Sequence, residues 1–452
     1  MGTPIEWTIK NEILPMRRRL FERFYRTAMR VLRKIKSETS LTIDENHING
    51  VVPFKPYHFY DNIRFALMLS QVFGVMPLHN LSTNIQEVKF KWISWKAVYS
   101  LVHVLCILSM SVFCIVKLAV YGFVIDETAI TCFYLSNTFA AVHFIYLAKK
   151  WEKILKEFSY VEMSMRDYAT NKNAKRVNIL TAIFFMFFGM IEHVLFILTN
   201  LQHSLSCKNY DKYPVEIYFG AAFPQWFTIV NYSHWAAVLV EFTNCISTFT
   251  WNFTDLFIIL ISLSLREKFN QISNRIKQYK NPPMKFWKEI REDYYKVSYL
   301  TKVVDVQIAG LVLISFINNI FFLCIQLYNS IKERQAIIDS IYFFYSFGFI
   351  VFRVVAVSLY SATLNESARK PLKYLYSLPT ESYTTDVSRL ITQINYLPNG
   401  ITGHGFFLIT KNFLLQAAAT VVTFELMIFQ FSPAIKSKYP SNSSTSEIIC
   451  IK

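Results

Sequence analysis

The sequence lacks the short motifs that mark common enzyme classes. It contains no P-loop, no HExxH and no GxSxG pattern. Histidine is present in apolar segments at 103, 143, 193 and 234, but these positions give no paired spacing that favours haem. We therefore expect neither an enzyme nor a bound metal or other cofactor.

Charged residues are also scarce, at 17% of the chain against 53% hydrophobic residues, and the apolar runs are long. At about 20 residues per helical crossing, we predict an all-α protein with seven transmembrane helices. The spans are 97–122, 127–148, 177–201, 224–264, 298–328, 337–362 and 404–431. The fourth is too long for one bilayer, so we expect it to continue into the aqueous phase until Asn281-Pro282-Pro283.

The distribution of basic residues predicts the orientation. Most of the 47 Lys and Arg residues lie in the N-terminal region and in the connections 149–176, 266–302 and 363–403. Only Lys117, Arg353 and Lys411 lie within spans. By the positive-inside rule the N-terminus is cytoplasmic, and seven spans then place the C-terminus outside. The net charge of +16 is explained by topology or by contact with anionic lipid, so no nucleic-acid partner is expected.

These boundaries divide the chain into five regions. Residues 1–96 form a cytoplasmic region whose amphipathic stretch 57–75 fits an interfacial helix, and we expect no signal peptide because the start is polar and basic. Residues 97–362 hold six spans, 363–403 a cytoplasmic connection, 404–431 the last span and 432–452 an extracellular tail. Asn442 in the tail lies in a glycosylation sequon, and the sequence leaves open whether Cys207 pairs with Cys450.

A polar stripe follows the last span. Its members recur at steps of three, four or seven residues, which places them on one face of a helix: Asn412, Gln416, Thr420, Thr423 and Gln430. Polar groups at membrane depth must meet other protein or line water. One such helix from each of several subunits, with its polar face inward, would line a pore.

Polar and aromatic residues also occur in the outer halves of the third to sixth spans. The fourth span carries a heptad line of His234, Glu241, Thr248 and Asp255. Such a mixture of groups can hydrogen-bond vicinal hydroxyls and cover the apolar face of a sugar ring. The predicted ligand-binding residues are Glu192, His193, Asn231, Tyr232, His234, Trp235, Asn318, Asn319, Gln326 and Tyr345.

Three other interpretations compete with a ligand site in a channel. Any one of these side chains can simply join helices by hydrogen bonds. A G-protein-coupled receptor also has seven spans, but its orientation is inverted and its Asp-Arg-Tyr and Asn-Pro-x-x-Tyr motifs are missing here. A transporter would be expected to show internal repeats, and an odd number of spans does not divide into equal halves.

The C-terminal segment TFELMIFQF at 423–431 resembles the signature of insect gustatory receptors, which is Thr-Tyr, five mostly apolar residues and Gln-Phe. Phe424 replaces the usual Tyr and keeps the aromatic ring. Glu425 is similar to the sugar-receptor branch, as are QVFGVMP at 71–77, SLSLREKFNQI at 262–272 and LPTESYTTDVSRLITQI at 378–394. The matching stretches extend from residue 71 to residue 431.

The resemblance implies a tetrameric, ligand-gated, non-selective cation channel in the plasma membrane of gustatory receptor neurons. It places sugars in an outward-facing pocket of each subunit, and a central anchor at the cytoplasmic ends of the fourth to sixth helices and the first half of the seventh. By the same resemblance Gln430 and Phe431 lie near the outer pore constriction. Glu425 is about 200° from Thr423 around the helix. We therefore expect it to lie off the pore stripe and to couple the sugar pocket to the gate.

The sequence leaves open how the protein acts and which sugar it binds. The channel could be a homotetramer that conducts monovalent and divalent cations, or this chain could be a binding subunit that works only in a heteromer with related receptors. The third possibility is that the protein is a membrane sugar transporter. The stripe has amides and hydroxyls but no carboxylate ring, which favours weak ion selectivity. The identity of the sugar is not encoded in any motif.

Overall fold

The computed structural model describes residues 58–82, 87–165, 168, 173–206, 213–278, 283–330, 334 and 336–438. For residues 58, 425, 426 and 428–438 it describes the backbone alone. Several predictions therefore fall outside the described residues: the region before residue 58, Cys207, Asn442, Cys450 and the side chains of Glu425, Gln430 and Phe431.

The described part of the chain is almost entirely helical. Its elements, in chain order, are α1 (His58–Val72), β1 (Leu78–His79), β2 (Lys89–Phe90), α2 (Trp95–Tyr121), α3 (Ile125–Ser164), α4 (Ala174–Ser206), α5 (Pro214–Ala222), α6 (Pro224–Phe227), α7 (His234–Gln278), α8 (Met284–Ser330), α9 (Ile337–Arg369), α10 (Leu372–Leu375), α11 (Thr385–Tyr396) and α12 (Lys411–Lys438). A 3₁₀ turn at Thr380–Ser382 precedes α11, and the two short strands pair antiparallel. The predicted all-α class is confirmed.

Six of these helices are long and apolar enough to cross a membrane: α2, α3, α4, α7, α8 and α9. With α12 they form the seven long helices of the fold. Local signals set their ends, as α2 shows. The Ser94 side chain accepts a hydrogen bond from the Ala97 N–H at 3.2 Å, and Gly122 at φ +85° ends the helix.

Helix α7 is the central helix. Of its most apolar stretch 89% is buried inside the chain, against 28% for α2 and for α4. It packs against α9, α8, α4 and α3. The outer helices instead present apolar side chains to their surroundings, such as Leu105 and Val112 of α2. This distribution fits a bundle whose surface faces lipid and whose centre is closed by its own side chains.

The structure corrects the predicted start of the fourth span. That span was expected to run as one helix from residue 224, but α6 ends at Phe227 and α7 begins only at His234. Pro224 occupies the first turn of α6, where proline is favoured because its missing N–H needs no partner. Pro224 thus separates α6 from α5. Residues 228–233 between α6 and α7 form a non-helical corner, and apolar periodicity did not separate α5 and α6 from α7.

The structure also corrects the start of the last span. Residues 404–410 were expected to be helical, yet α12 begins at Lys411. His404 has φ +51° and Gly405 φ +74°, and an isolated bridge pairs Thr402 with Leu408. Left-handed backbone at two successive residues turns the chain sharply and excludes a continuous helix. The segment 397–410, the pre-pore turn, thus connects amphipathic α11 to α12.

Long extensions of α3, α7 and α8 pack together beyond the predicted spans on the basic side. There the Tyr168 hydroxyl donates to Asp293 Oδ2 at 2.7 Å, and the Arg275 guanidinium lies 4.4 Å from the Tyr168 ring centre. Burial, and next the Asp293 carboxylate, raise the pKa of the Tyr168 phenol well above its usual value. The phenol therefore stays protonated and keeps donating, which fastens Tyr168 to α8.

Candidate functional site

The ten predicted ligand-binding residues separate into a buried set and an exposed set. The buried or half-buried set lies on α4, α8 and α9: Glu192, His193, Asn318, Asn319, Gln326 and Tyr345. The exposed or half-buried set lies at the start of α7 and in the corner before it: Asn231, Tyr232, His234 and Trp235. Only the first set is enclosed by the bundle.

A hydrogen-bonded chain joins α4, α9 and α8. The Ser346 hydroxyl donates to Glu192 Oε1 at 2.6 Å, and Gln326 Nε2 donates to Ser346 Oγ at 3.1 Å. Ser346 is fully buried by these neighbours, at 4% exposure. The chain holds one carboxylate oxygen of Glu192 in place, while its second oxygen, Oε2, is buried with no partner among the described residues. A buried carboxylate oxygen without a hydrogen-bond donor is energetically costly.

A second cluster surrounds His193. Its Nε2 lies 3.5 Å from Glu241 Oε1, and the Thr248 hydroxyl lies 3.5 Å from its Nδ1. The Tyr218 hydroxyl of α5 donates to Glu241 Oε2 at 3.1 Å. The heptad line pointed to Glu241 and Thr248, but Tyr218 was missed because α5 carries no periodic polar signal. The cluster ties α5 to α4 and α7.

Asn319 is held in a third, fully buried network. Its Nδ2 lies 3.2 Å and 3.1 Å from the two carboxylate oxygens of Asp255, which also accepts from the Ser315 hydroxyl at 2.5 Å. Arg353 of α9 donates to Asp255 Oδ2 through Nε at 3.0 Å and packs 4.2 Å from the Trp251 ring centre. The network joins α7, α8 and α9 and accounts for the charge that Arg353 carries inside a span.

Two other predicted residues contact neighbouring helices. Asn318 Oδ1 accepts from the Ser136 hydroxyl of α3 at 3.1 Å, and the Tyr345 hydroxyl donates to the Phe188 carbonyl of α4 at 2.9 Å. These contacts use one group of each side chain. The helix-joining interpretation therefore describes part of what Asn318, Asn319 and Tyr345 do.

Several polar atoms on α4, α7 and α8 are buried without a hydrogen-bond partner within the described residues. Among them are Glu192 Oε2, Trp251 Nε1 and Asn319 Oδ1. Together these three offer a carboxylate acceptor, an indole donor and an amide acceptor. The rings of Trp251 and Phe322 also pack together, with their centres 4.9 Å apart. Hydroxyl groups of a polyol can serve both kinds of atom, and an aromatic face can cover its C–H side.

The exposed set lies at the rim. The Tyr232 hydroxyl lies 3.2 Å from His234 Nδ1, and the Tyr232 ring packs near Phe219 and Phe227. Trp235 is 86% exposed. Because α7 begins only at His234, residues 231–235 sit where the chain enters the bundle.

The predicted pore stripe is exposed wherever its side chains are described. Asn412, Gln416, Thr420 and Thr423 all lie open on one face of α12, while α12 packs on α8 and α9. The hydroxyls of Thr420 and Thr423 donate back to the carbonyls of Gln416 and Ala419. An open polar face of this kind is available to other copies of α12.

The fold defines the class. Solved structures of the insect olfactory receptor OR5 from Machilis hrabei, alone and in complex with eugenol, superpose with TM-scores of 0.62 and 0.61 at 13% identity. They cover 81% of this chain and 97% of theirs, so the chain has the fold of this insect olfactory receptor.

The family model of the trehalose receptor matches residues 54–439, and the chain belongs to this family. Among its relatives in Drosophila melanogaster, the gustatory receptor for sugar taste 64b is 30% identical over 82% of this chain and 94% of its own length. The gustatory receptor 5a for trehalose is 28% identical over 82% of this chain and 85% of its own. The resemblance to the sugar branch of gustatory receptors is confirmed, and with it the expectation that the protein is not an enzyme.

Proposed function

We propose that the protein is a sweet-taste receptor, a sugar-gated and weakly selective cation channel in the plasma membrane of gustatory receptor neurons. The partnerless atoms of Glu192, Trp251 and Asn319 carry the proposal, because they need hydroxyl partners at the depth where an outward-facing pocket would lie. The sugar-taste names of the relatives support the same ligand class. The solved olfactory receptor in complex with eugenol has this fold and holds a small molecule.

The proposed mechanism begins with a sugar that enters past the rim at 231–235. Its hydroxyls pair with Glu192 and its neighbours and draw the outer ends of α4, α7, α8 and α9 together. The shift of α8 and α9 passes through the pre-pore turn to α12, because Asp305 and Asn365 hold that turn. Glu425 contacts neighbouring helices in this proposal and transmits the movement. The α12 helices then spread, and the ring at Phe431 widens.

Assembly follows from the exposed stripe of α12. Four copies with their stripes inward would form a pore that passes monovalent and divalent cations between Asn412 and Gln430. The apolar outer faces of α2 and α4 would contact membrane lipid. A heteromer with related receptors would use the same surfaces, and in it this chain would supply one sugar pocket.

Glu192→Gln is expected to weaken the sugar response. The change keeps the size of the side chain but removes the charge. A hydrogen bond to a charged group contributes about 1.5–3 kcal/mol, against about 0.5–1.5 kcal/mol for one between neutral groups. The half-maximal sugar concentration should rise at least about tenfold. The measurement is whole-cell current from the chain expressed alone in a cell without such receptors, across a panel of mono- and disaccharides.

Glu152→Gln serves as the control, since Glu152 is partly exposed on the cytoplasmic part of α3 and pairs with Lys156. An unchanged dose response for Glu192→Gln, at normal surface density, would contradict the pocket. Current that needs a co-expressed relative would favour the heteromer. Saturable uptake of labelled sugar without current would favour the transporter.

Phe431→Ala is expected to raise the current recorded without sugar several-fold. A ring of aromatic side chains blocks ions by excluding water, and alanine widens and wets that ring. Val422→Ala is the control, because Val422 is exposed and lies about 180° from Phe431 around α12. If Phe431→Ala channels reach the surface but pass no more current without sugar than the wild type, the gate lies elsewhere.

A further inference from the structure

A cavity lies far from the sugar pocket, at the inner ends of α1, α3, α4 and α7. Its volume is about 80 Å³, and Phe59, Glu162, Asn178, Arg266, Lys268 and Gln271 are among the residues that line it. By the same measure one water molecule needs about 10–15 Å³. The cavity therefore admits a group equivalent to several water molecules.

Glu162 gives the cavity an acceptor without a donor. One carboxylate oxygen, Oε1, accepts from Lys268 Nζ at 2.6 Å and from the Phe59 N–H at 3.1 Å. Glu162 is only 6% exposed, and its other oxygen, Oε2, is buried with no partner in the described part of the chain. Because Lys268 already balances its charge, Oε2 calls for a neutral donor such as a hydroxyl.

Arg266 gives the cavity a donor without an acceptor. Its Nε is buried with no partner among the described residues, and its Nη1 lies a long 3.5 Å from the Thr363 hydroxyl. A guanidinium favours oxygens of phosphate or carboxylate over neutral acceptors. Glu267 also lines the cavity, so a purely anionic ligand suits it less well than one that carries hydroxyls as well.

The position of the cavity shows from where a ligand can enter. Ala174 and Val177 of the first turn of α4 line it, and Lys175 and Arg176 beside them are exposed. The predicted third span starts at residue 177, so this turn lies at the depth of lipid headgroups on the basic side. The free N–H groups of a first helical turn also favour phosphate.

We infer that this cavity binds a phosphorylated polyol from the cytoplasmic side, with hydroxyls that donate to Glu162 Oε2 and a phosphate that accepts from Arg266 Nε. An inositol phospholipid and a free inositol phosphate share this chemistry. The site is separate from the sugar pocket and does not depend on it.

The test measures binding to the purified full-length receptor in detergent by microscale thermophoresis. The probes are inositol trisphosphate, short-chain phosphatidylinositol bisphosphate and short-chain phosphatidylserine. We expect at least one of the two inositol probes to bind about tenfold more tightly than phosphatidylserine. Equal binding of both inositol probes indicates a soluble ligand, and binding of the lipid probe alone indicates a membrane source.

Two variants probe the site itself. Arg266→Gln removes the guanidinium, and Val177→Trp narrows the mouth without touching the buried Glu162–Lys268 pair; each should weaken inositol binding about tenfold. Lys277→Gln, an exposed charge change on the same helix outside the cavity, should bind like the wild type. The inference is overturned if neither inositol probe binds, if phosphatidylserine binds equally well, or if Lys277→Gln loses as much affinity as Arg266→Gln.

Discussion

Arg353→Met is expected to destabilise the folded receptor by about 3–5 kcal/mol, because it leaves the Asp255 carboxylate buried without its cation. Arg353 is 1% exposed and Asp255 is 0% exposed, so water cannot replace the lost partner. The expected result is a large fall in surface density and in the unfolding temperature of the detergent-purified protein. Fluorescence-detected size-exclusion chromatography after heating measures the second quantity.

The double variant Asp255→Asn with Arg353→Met separates a buried charge from a general packing defect. It removes both charges and keeps an amide that can still pair with Ser315 and Asn319, so it should recover at least half of the lost stability. Lys156→Met is the matched control: it breaks the Lys156–Glu152 pair, whose side chains are 57% and 41% exposed, and should cost under about 1 kcal/mol. A double variant no more stable than Arg353→Met would contradict the argument.

Asp305→Ala is expected to shift the sugar dose response about 100-fold or to abolish the current, while the receptor still reaches the surface. Asp305 of α8 accepts from the Thr402 N–H at 2.6 Å and from the Thr402 hydroxyl at 2.8 Å. Hydrogen bonds to a charged group contribute about 1.5–3 kcal/mol each. Their loss frees the pre-pore turn from α8, so movement of α8 no longer reaches α12.

The turn has further contacts that should preserve the fold of the variant. Asn365 Nδ2 donates to the Asn399 carbonyl at 2.9 Å, and Asn399 Nδ2 donates to the Tyr294 hydroxyl at 2.9 Å. Asp386→Ala is the matched control: Asp386 of α11 also pairs with α8, through Arg291, but both side chains are partly exposed. Equal effects of the two variants on the dose response, at equal surface density, would argue against a specific role for Asp305.

The sequence could predict which polar side chains belong to the candidate site, but not how they pair with one another. Polar residues in spans stand out because hydrocarbon penalises them, and this singled out Glu192, Asn318 and Gln326. Their partners depend on how helices rotate against one another. Asn319 was grouped with the ligand residues, but the rotation of α8 turns its amide to Asp255. Tyr218 gave no signal, because one aromatic residue in a short apolar helix looks like any packing residue.

The sequence by itself determined the all-α class and the six apolar spans within α2 to α9, because the hydrophobic effect acts on local composition. It also carried the signature that led to the receptor family. Tertiary structure alone decided where α7 and α12 begin, since the non-helical residues 228–233 and the left-handed residues His404 and Gly405 interrupt otherwise apolar runs. It alone paired Arg353 with Asp255 and Asp305 with Thr402, because hydrogen bonds act over about 3 Å and join residues that lie far apart in the chain.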